Sequence, residues 1–223
     1  MPASPESGPG AEESEREAAA AVAHLRAADP VLRAVIDEVG ADDLGDRRAG
    51  RPNDHYGALL RSIVGQQLST KAARAIFGRL IDRFGGRTPT PTEGLADDPE
   101  ELRAAAGLSH AKVSFLRSLA EHVLDGSLDL ERLDTLPDDE VISELVAVKG
   151  IGAWSAHMFL MFHLQRPDVL AVGDLGIRRA MMIRYRLPAL PAPAEMERIA
   201  EPWRPHRTLA CLFLWRSLEA VPV

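Results

Sequence analysis

The sequence is most constrained between residues 145 and 161, LVAVKGIGAWSAHMFLM, where two apolar patterns of helical spacing are separated by a short turn. That turn consists of Lys149, Gly150, Ile151 and Gly152. Glycine lets the backbone turn tightly because it has no Cβ to clash, and Ile151 between the two glycines can hold the helices together from the inside. The segment therefore predicts two helices joined by a tight turn.

The second of these helices opens after Gly152 with backbone N–H groups that have no acceptor inside the helix. Together with the positive end of the helix dipole, such groups bind a phosphate. This is the layout of a helix-hairpin-helix motif, which grips a nucleic-acid backbone without reading its sequence. A glycine pair between two helices is also the pattern of an ordinary αα turn, and the pattern alone leaves both interpretations open.

Asp174 stands in the segment DVLAVGDLGIRRAM (residues 168–181), directly before another predicted helix. An isolated Asp at such a place is expected to be a helix N-cap. The residues around it are largely apolar, however, and a carboxylate held near an apolar wall and a helix N-terminus suits the electrostatic stabilisation of a nearby cation. The position is therefore a candidate catalytic group as well as a cap.

The pairing of VKGIGAWSA with a downstream VGDLGIRR resembles the helix-hairpin-helix DNA glycosylases, and in particular their alkylated-base branch, the DNA-3-methyladenine glycosylase II type. The resemblance extends to HYGALLRSIVGQQLSTKAA at residues 55–73 and to WRPHRTLACLFLW at residues 203–215. It covers four blocks, in order, over residues 50–218. It implies an enzyme that flips a damaged base out of duplex DNA and cleaves its N-glycosidic bond.

The resemblance also implies roles for individual residues. Asp174 would stabilise the oxocarbenium-like sugar, with orientation of the attacking water as a further role. Trp154 and Trp215 match pocket tryptophans on which a cationic base stacks, although either could instead be a core residue. Met158 and Leu175 stand where better-known bacterial relatives carry tyrosines, so we expect a wider and less aromatic base pocket.

Trp154 occupies the position at which relatives that also nick the backbone place a lysine. Since an indole cannot form a Schiff base, the resemblance implies a monofunctional glycosylase. The single cysteine, Cys211, rules out the four-cysteine iron–sulfur loop of other relatives. It lies in an apolar run and is expected to be buried, and one cysteine without a partner favours an intracellular, cytoplasmic protein, associated with the nucleoid if bacterial.

Further DNA contacts are expected in the loop Gln66-Gln67-Leu68-Ser69, where Gln67 or Leu68 would be the wedge that fills the space left by a flipped base. The alternative is an ordinary helix connection capped by Ser69. Several cations are candidate phosphate contacts or plain solvated charges: Lys149, Lys112, Arg207, Lys71 and Arg74.

The net charge of −7 speaks against binding to DNA, but much of the acidity lies near the N-terminus. Residues 1–16, rich in Pro, Gly, Ser and Glu, are expected to form a disordered acidic tail before a folded domain at 17–223. The histidines show no zinc-binding spacing, so no metal cofactor is expected apart from a monovalent cation at the carbonyls of the hairpin turn. No apolar run is long enough to span a membrane. The expected partner is duplex DNA with alkylated bases, bound by a monomer.

Apolar residues recur at helical spacing along nearly the whole chain, and no stretch alternates as a strand would. The sequence therefore predicts an all-α fold. By resemblance it has two lobes, one formed by about residues 54–165 and inserted between the N- and C-terminal helices, with the active-site cleft between them. Ser69 and Ser109 are predicted N-caps, and Pro30 and Pro99 predicted helix starts.

Two functions of different class fit this sequence. The first is a monofunctional glycosylase that removes 3-methyladenine and 7-methylguanine, with 1-methyladenine and 3-methylcytosine as further candidates. The second is a non-catalytic helix-hairpin-helix protein that binds DNA or senses lesions. The aspartate beside both tryptophans favours the enzyme.

Overall fold

The structure is a computed structural model that describes residues 9–40 and 52–219. Within these residues it contains twelve α-helices and two short 3-10 helices and no β-strand, which confirms the predicted all-α class. The helices are α1 (Pro9–Ala28), α2 (Pro30–Val39), α3 (His55–Gly65), α4 (Thr70–Arg83), α5 (Pro91–Ala96), α6 (Pro99–Ala106), α7 (His110–Leu124), α8 (Asp138–Ala147), α9 (Ala153–Phe162), α10 (Leu175–Arg184), α11 (Pro193–Ala200) and α12 (Arg207–Glu219), with 3-10 turns at Leu130–Arg132 and Glu201–Trp203.

The described chain divides into two compact units, one made of residues 9–40 and 167–219 and the other of residues 52–166. The second unit spans the stretch at about 54–165 that was expected to form an inserted lobe. The first unit begins with α1 at Pro9, so this helix overlaps the tail expected at residues 1–16. Alanine and glutamate, which dominate this segment, are among the better helix formers. Residues 1–8 of the expected tail lie outside the described residues.

The core of the first unit packs around a buried aspartate. Asp29 caps α2 by accepting from the amides of Val31 and Leu32 at 2.8 and 3.1 Å. Its second oxygen accepts from the Tyr185 hydroxyl at 2.6 Å and from the Trp203 indole at 2.9 Å. Because a buried charge is costly unless it is hydrogen-bonded, these four donors fix the carboxylate and tie α2 to the elements that follow α10.

The second unit confirms the predicted caps and adds one helix, α5. Ser69 accepts from the Ala72 amide and Ser109 from the Lys112 amide, each closing the first turn of its helix. The short helix α5 was not predicted, and of α6 only the start at Pro99 was. A reciprocal cap between Thr90 and Glu93 starts α5, and the proline at the predicted start of the next helix is the first residue of α6.

Candidate active site

Asp174 is held in one orientation by two donors from different helices. Its Oδ1 atom accepts from the Ile177 backbone amide at 2.8 Å, which makes Asp174 the N-cap of α10 as expected of an isolated Asp. The same atom accepts from the Trp215 indole Nε1–H, also at 2.8 Å. Two hydrogen bonds to one oxygen fix the orientation of the carboxylate at the N-terminus of α10. The carboxylate is half-buried.

Trp215 therefore does more than present an aromatic face. The residue lies in α12, is half-buried and uses its only hydrogen-bond donor on Asp174. The sequence suggested a stacking platform but gave no sign of this bond, because the two residues are distant in sequence. Its proposed contact with a base stays a prediction.

Gly176 makes this close approach possible and was not singled out from the sequence. A Cβ at this position would lie 3.0 Å from Asp174 Oδ1 and 3.0 Å from both Cδ1 and Nε1 of Trp215. Such contacts are tighter than carbon atoms normally make, so a side chain here would push the carboxylate and the indole apart. The only sequence signal is a glycine in the first turn of a helix, where it costs helix stability.

Leu175, the first residue of α10, is 64 % exposed, and its place in the base pocket stays a prediction. Arg207 was assigned to a phosphate contact, but its largely buried guanidinium binds Asp168, with Nε on Oδ1 at 2.7 Å and Nη2 on Oδ2 at 2.9 Å. The same Nη2 also donates to the Asp168 carbonyl at 2.7 Å. A guanidinium group whose donors are bound in this way holds the start of α12 in place. This contact replaces the assignment of Arg207 to a phosphate.

The hairpin turn has the predicted form. Gly150 has φ +92°, and a Cβ there would lie 2.1 Å from the ring of Phe115. Ile151 is 4 % exposed and so is packed inside the turn. Gly152 is the N-cap of α9, and no side chain caps that helix. Since Gly152 and the first residue of α9 are exposed, the opening turn faces solvent, as a phosphate-binding hairpin requires.

Gln66 connects the Gly65–Ser69 loop to this hairpin, and Lys112 on α7 binds the same loop and the end of α3 instead of pointing to solvent. The Gln66 amide Nε2 donates to the Gly150 carbonyl at 2.8 Å and to the Ser155 hydroxyl at 3.1 Å. Lys112 Nζ donates to the carbonyls of Val64 and Gln66 at 2.7 and 3.0 Å, and burial lowers the pKa of this ammonium. The Gly150 carbonyl, one of the oxygens suggested for a monovalent cation, thus accepts a hydrogen bond from the protein.

The tip of the loop carries the two wedge candidates. Gln67 is exposed and lies in the left-handed region with φ +59°, which is unfavourable for a side chain other than glycine or asparagine. Leu68 is 38 % exposed. Ser69 is exposed as well and caps α4, so the capping interpretation of this residue is confirmed. Lys149, next to the hairpin, is exposed and donates to the Ser114 hydroxyl at 3.3 Å.

A groove of about 260 Å³ lies on the second unit between α3, α4 and α9. Trp154, which is 40 % exposed, and Met158 form part of its wall one turn apart on α9. The same wall includes His163, which hydrogen-bonds through Nε2 to Nδ1 of His55 at 2.7 Å. His55 in turn contacts the Asp134 carboxylate through Nε2 at 3.1 Å. The contact between His163 and His55 fixes the end of α9 against the start of α3.

Among the described residues no group of three or more histidine, cysteine or acidic side chains is arranged to hold a metal ion. Cys211 is buried, as expected. In residues 9–40 and 52–219 no helix combines the length and the apolar character that crossing a membrane requires.

Comparison with known proteins is consistent with this arrangement. Residues 60–205 match the model of the HhH-GPD superfamily base excision DNA repair protein. DNA-3-methyladenine glycosylase 1 of Schizosaccharomyces pombe is 34 % identical over 196 residues, which cover 87 % of this chain and 85 % of that protein.

Two solved structures are similar over most of their length. The Schizosaccharomyces pombe 3-methyladenine DNA glycosylase in complex with abasic DNA has a TM-score of 0.77 at 34 % identity, covering 87 % of this chain and 94 % of that one. The DNA-3-methyladenine glycosidase of Bacillus halodurans has a TM-score of 0.71 at 36 % identity, covering 87 % of each chain. This chain therefore belongs to the HhH-GPD superfamily of base excision DNA repair proteins, with relatives that are DNA-3-methyladenine glycosylases.

Proposed function

We propose that this chain is a monofunctional DNA glycosylase that excises alkylated bases, above all 3-methyladenine and 7-methylguanine, from duplex DNA. The observation that carries the proposal is the fixed carboxylate of Asp174, which accepts from a helix amide and from the Trp215 indole on one oxygen. The relatives named above support the substrate class.

The chemistry follows from the charge of the damaged base. Alkylation at N3 or N7 makes a purine cationic, so the base is already a competent leaving group and needs little help from an acid. What the reaction needs is stabilisation of the positive charge that develops on the sugar as the glycosidic bond breaks. A carboxylate held in one orientation before the reaction provides this without reorganising, and it can also orient the water that attacks the sugar.

Recognition of the base is assigned to aromatic faces. Trp154 is exposed beside the hairpin and Trp215 adjoins Asp174, and a cationic purine stacks well on the electron-rich face of an indole. Met158 and Leu175 add apolar contact without a further aromatic ring. Because these side chains are flexible, we include 1-methyladenine and 3-methylcytosine as candidate substrates.

Contact with the DNA backbone is assigned to the hairpin turn at residues 149–152, and insertion into the duplex to Gln67 or Leu68. The side chains of Gln66 and Ser69 then act indirectly, since the first holds the hairpin and the second caps α4. No lysine stands at position 154, so the chemistry ends at an abasic site, with no covalent intermediate.

The test is Asp174→Asn under single-turnover conditions on duplex DNA containing 7-methylguanine. Asparagine caps a helix as well as aspartate does, so α10 should be retained while the charge is lost. We expect excision to fall by roughly a hundredfold or more, with affinity for DNA nearly unchanged. Asp98→Asn, which alters the N-cap of α6 in the same way, is the matched control. Excision by Asp174→Asn at the rate of that control would remove Asp174 from the chemistry.

A further inference from the structure

Helix α7 supports both of the segments that the proposed function assigns to DNA. The ring of Phe115 lies against the hairpin turn, where a Cβ on Gly150 would collide with it. At the same turn, the Ser114 hydroxyl accepts from Lys149 Nζ at 3.3 Å. About one turn earlier on α7, Lys112 reaches the loop between α3 and α4. A single helix therefore holds the hairpin and the loop.

Lys112 binds the end of α3 through its ammonium group. Its Nζ atom donates to the carbonyls of Val64 and Gln66 at 2.7 and 3.0 Å. The last carbonyls of a helix have no donor inside the helix, and a cation at this end also matches the negative end of the helix dipole. The half-buried side chain of Lys112 thus fixes the backbone immediately before the loop tip.

The loop tip needs this support because its backbone conformation is unfavourable. Gln67 directly follows the second bound carbonyl and has φ +59°, in the left-handed region. A residue other than glycine keeps such a conformation only where its surroundings impose it. The side chain of Gln66 adds a second constraint, since its Nε2 donates to the Gly150 carbonyl and to the Ser155 hydroxyl. The residue before Gln67 is therefore held by α7 through its carbonyl and by the hairpin and α9 through its side chain.

We propose that Lys112 is a positioning residue for base extrusion, which holds the loop tip, Gln67 and Leu68, in the conformation that enters the duplex. The inference rests on the proposed function, which assigns this tip to the duplex. Extruding a base from a paired duplex requires unpairing and unstacking, and a tip that is ordered beforehand loses none of its binding free energy to its own ordering. Lys112 therefore acts on the step before the glycosidic bond breaks and not on the chemistry at Asp174.

The first test compares a paired lesion with an unpaired one. Lys112→Met keeps an unbranched apolar side chain and removes the donors. We expect single-turnover excision of 7-methylguanine paired with cytosine to fall about tenfold, the equivalent of one hydrogen bond to a charged group. Excision of the same lesion placed opposite an abasic analogue should stay within about twofold of the wild-type rate, because little unpairing is then required.

Arg117→Met is the matched control on the same helix. The Nη1 atom of Arg117 donates to the carbonyls of Leu95 and Asp97 at 3.0 and 3.4 Å, at the end of α5. This variant also removes a cation from a helix end, but the ratio of its two excision rates should stay that of the wild type. An unchanged ratio in Lys112→Met, or an equal change in Arg117→Met, would overturn the proposal and leave Lys112 as a support of the fold.

A second test follows the loop tip without base excision. The duplex carries 2-aminopurine, whose fluorescence reports its stacking, opposite a non-cleavable abasic analogue. Saturating wild-type protein should change this fluorescence as the tip enters the gap, and saturating Lys112→Met should change it less. An equal response of the two proteins, including no response from either, would contradict the proposal. Because this measurement requires only binding, it stays informative if the wild type excises no alkylated base, a result that would refute the proposed function by itself.

Discussion

The bond between Trp215 and Asp174 leads to a prediction that stacking alone would not make. Trp215→Phe keeps an aromatic face but removes the indole N–H that donates to Asp174 Oδ1. A hydrogen bond to a charged group is worth about 1.5–3 kcal/mol, and about 1.4 kcal/mol corresponds to a tenfold change in rate. We therefore expect single-turnover excision to fall roughly 10- to 100-fold.

The reduction should be nearly the same for every substrate, because orientation of the carboxylate acts on the sugar and not on the base. Trp215→Ala removes the ring as well, and should add a further loss of about 1–3 kcal/mol that is largest for bases that depend on stacking. The assay is excision of 3-methyladenine, 7-methylguanine and hypoxanthine from matched duplexes, with hypoxanthine, which is neutral, the slowest in the wild type.

A double-variant cycle decides between the two roles. If Trp215 acts through Asp174, the change to Phe should have little effect when Asp174 is already Asn, since the charged acceptor is gone. Full additivity of the two changes, or excision by Trp215→Phe within about twofold of the wild type, would refute the argument that the indole orients the carboxylate.

Three further outcomes follow from the structure. Because no amine stands at position 154, borohydride should trap no covalent adduct with DNA, and abasic products should persist until heat or alkali is applied; a trapped adduct would assign a lysine elsewhere to the sugar. Burial raises the pKa of Cys211 to about 12, so its thiol stays protonated below that pH. It should therefore react with iodoacetamide at pH 8 only after unfolding, and modification of the native protein would contradict its burial. Gly150→Ala should cost about 1–3 kcal/mol in the free energy of urea unfolding, because Gly150 has a positive φ and a Cβ there would meet the Phe115 ring. Gly152→Ala should leave stability almost unchanged, because nothing lies within 4 Å of its Cβ. Equal losses in the two variants would show that the ring moves away freely.

Local sequence patterns predicted most of the helices and their ends. Ser69 and Ser109 were identified as caps because the capping bond spans only three residues. The hairpin was equally visible, since the glycines and the isoleucine that form it are adjacent in the chain. Helix α5 was not predicted because its six residues are too few for an apolar period to stand out.

Contacts between distant residues could not be predicted. The ion pair of Arg207 with Asp168 and the bond from Trp215 to Asp174 each join residues about forty positions apart. Whether an arginine meets a carboxylate or a phosphate depends on which helix packs beside it, and one sequence does not contain that information. Gln66 was assigned to DNA for the same reason, since its amide is used on the hairpin through a contact that spans 84 positions.

The double use of the Asp174 oxygen affects how such proteins can lose activity over evolutionary time. As the N-cap of α10, the side chain is under selection for folding, whatever happens to catalysis. Serine or threonine would preserve the cap and asparagine would too, but none of them carries the charge. A descendant that only senses lesions could therefore carry aspartate, asparagine, serine or threonine here without unfolding. An aspartate at this position would then indicate that the chemistry is retained, whereas any capping side chain would indicate only that the helix is.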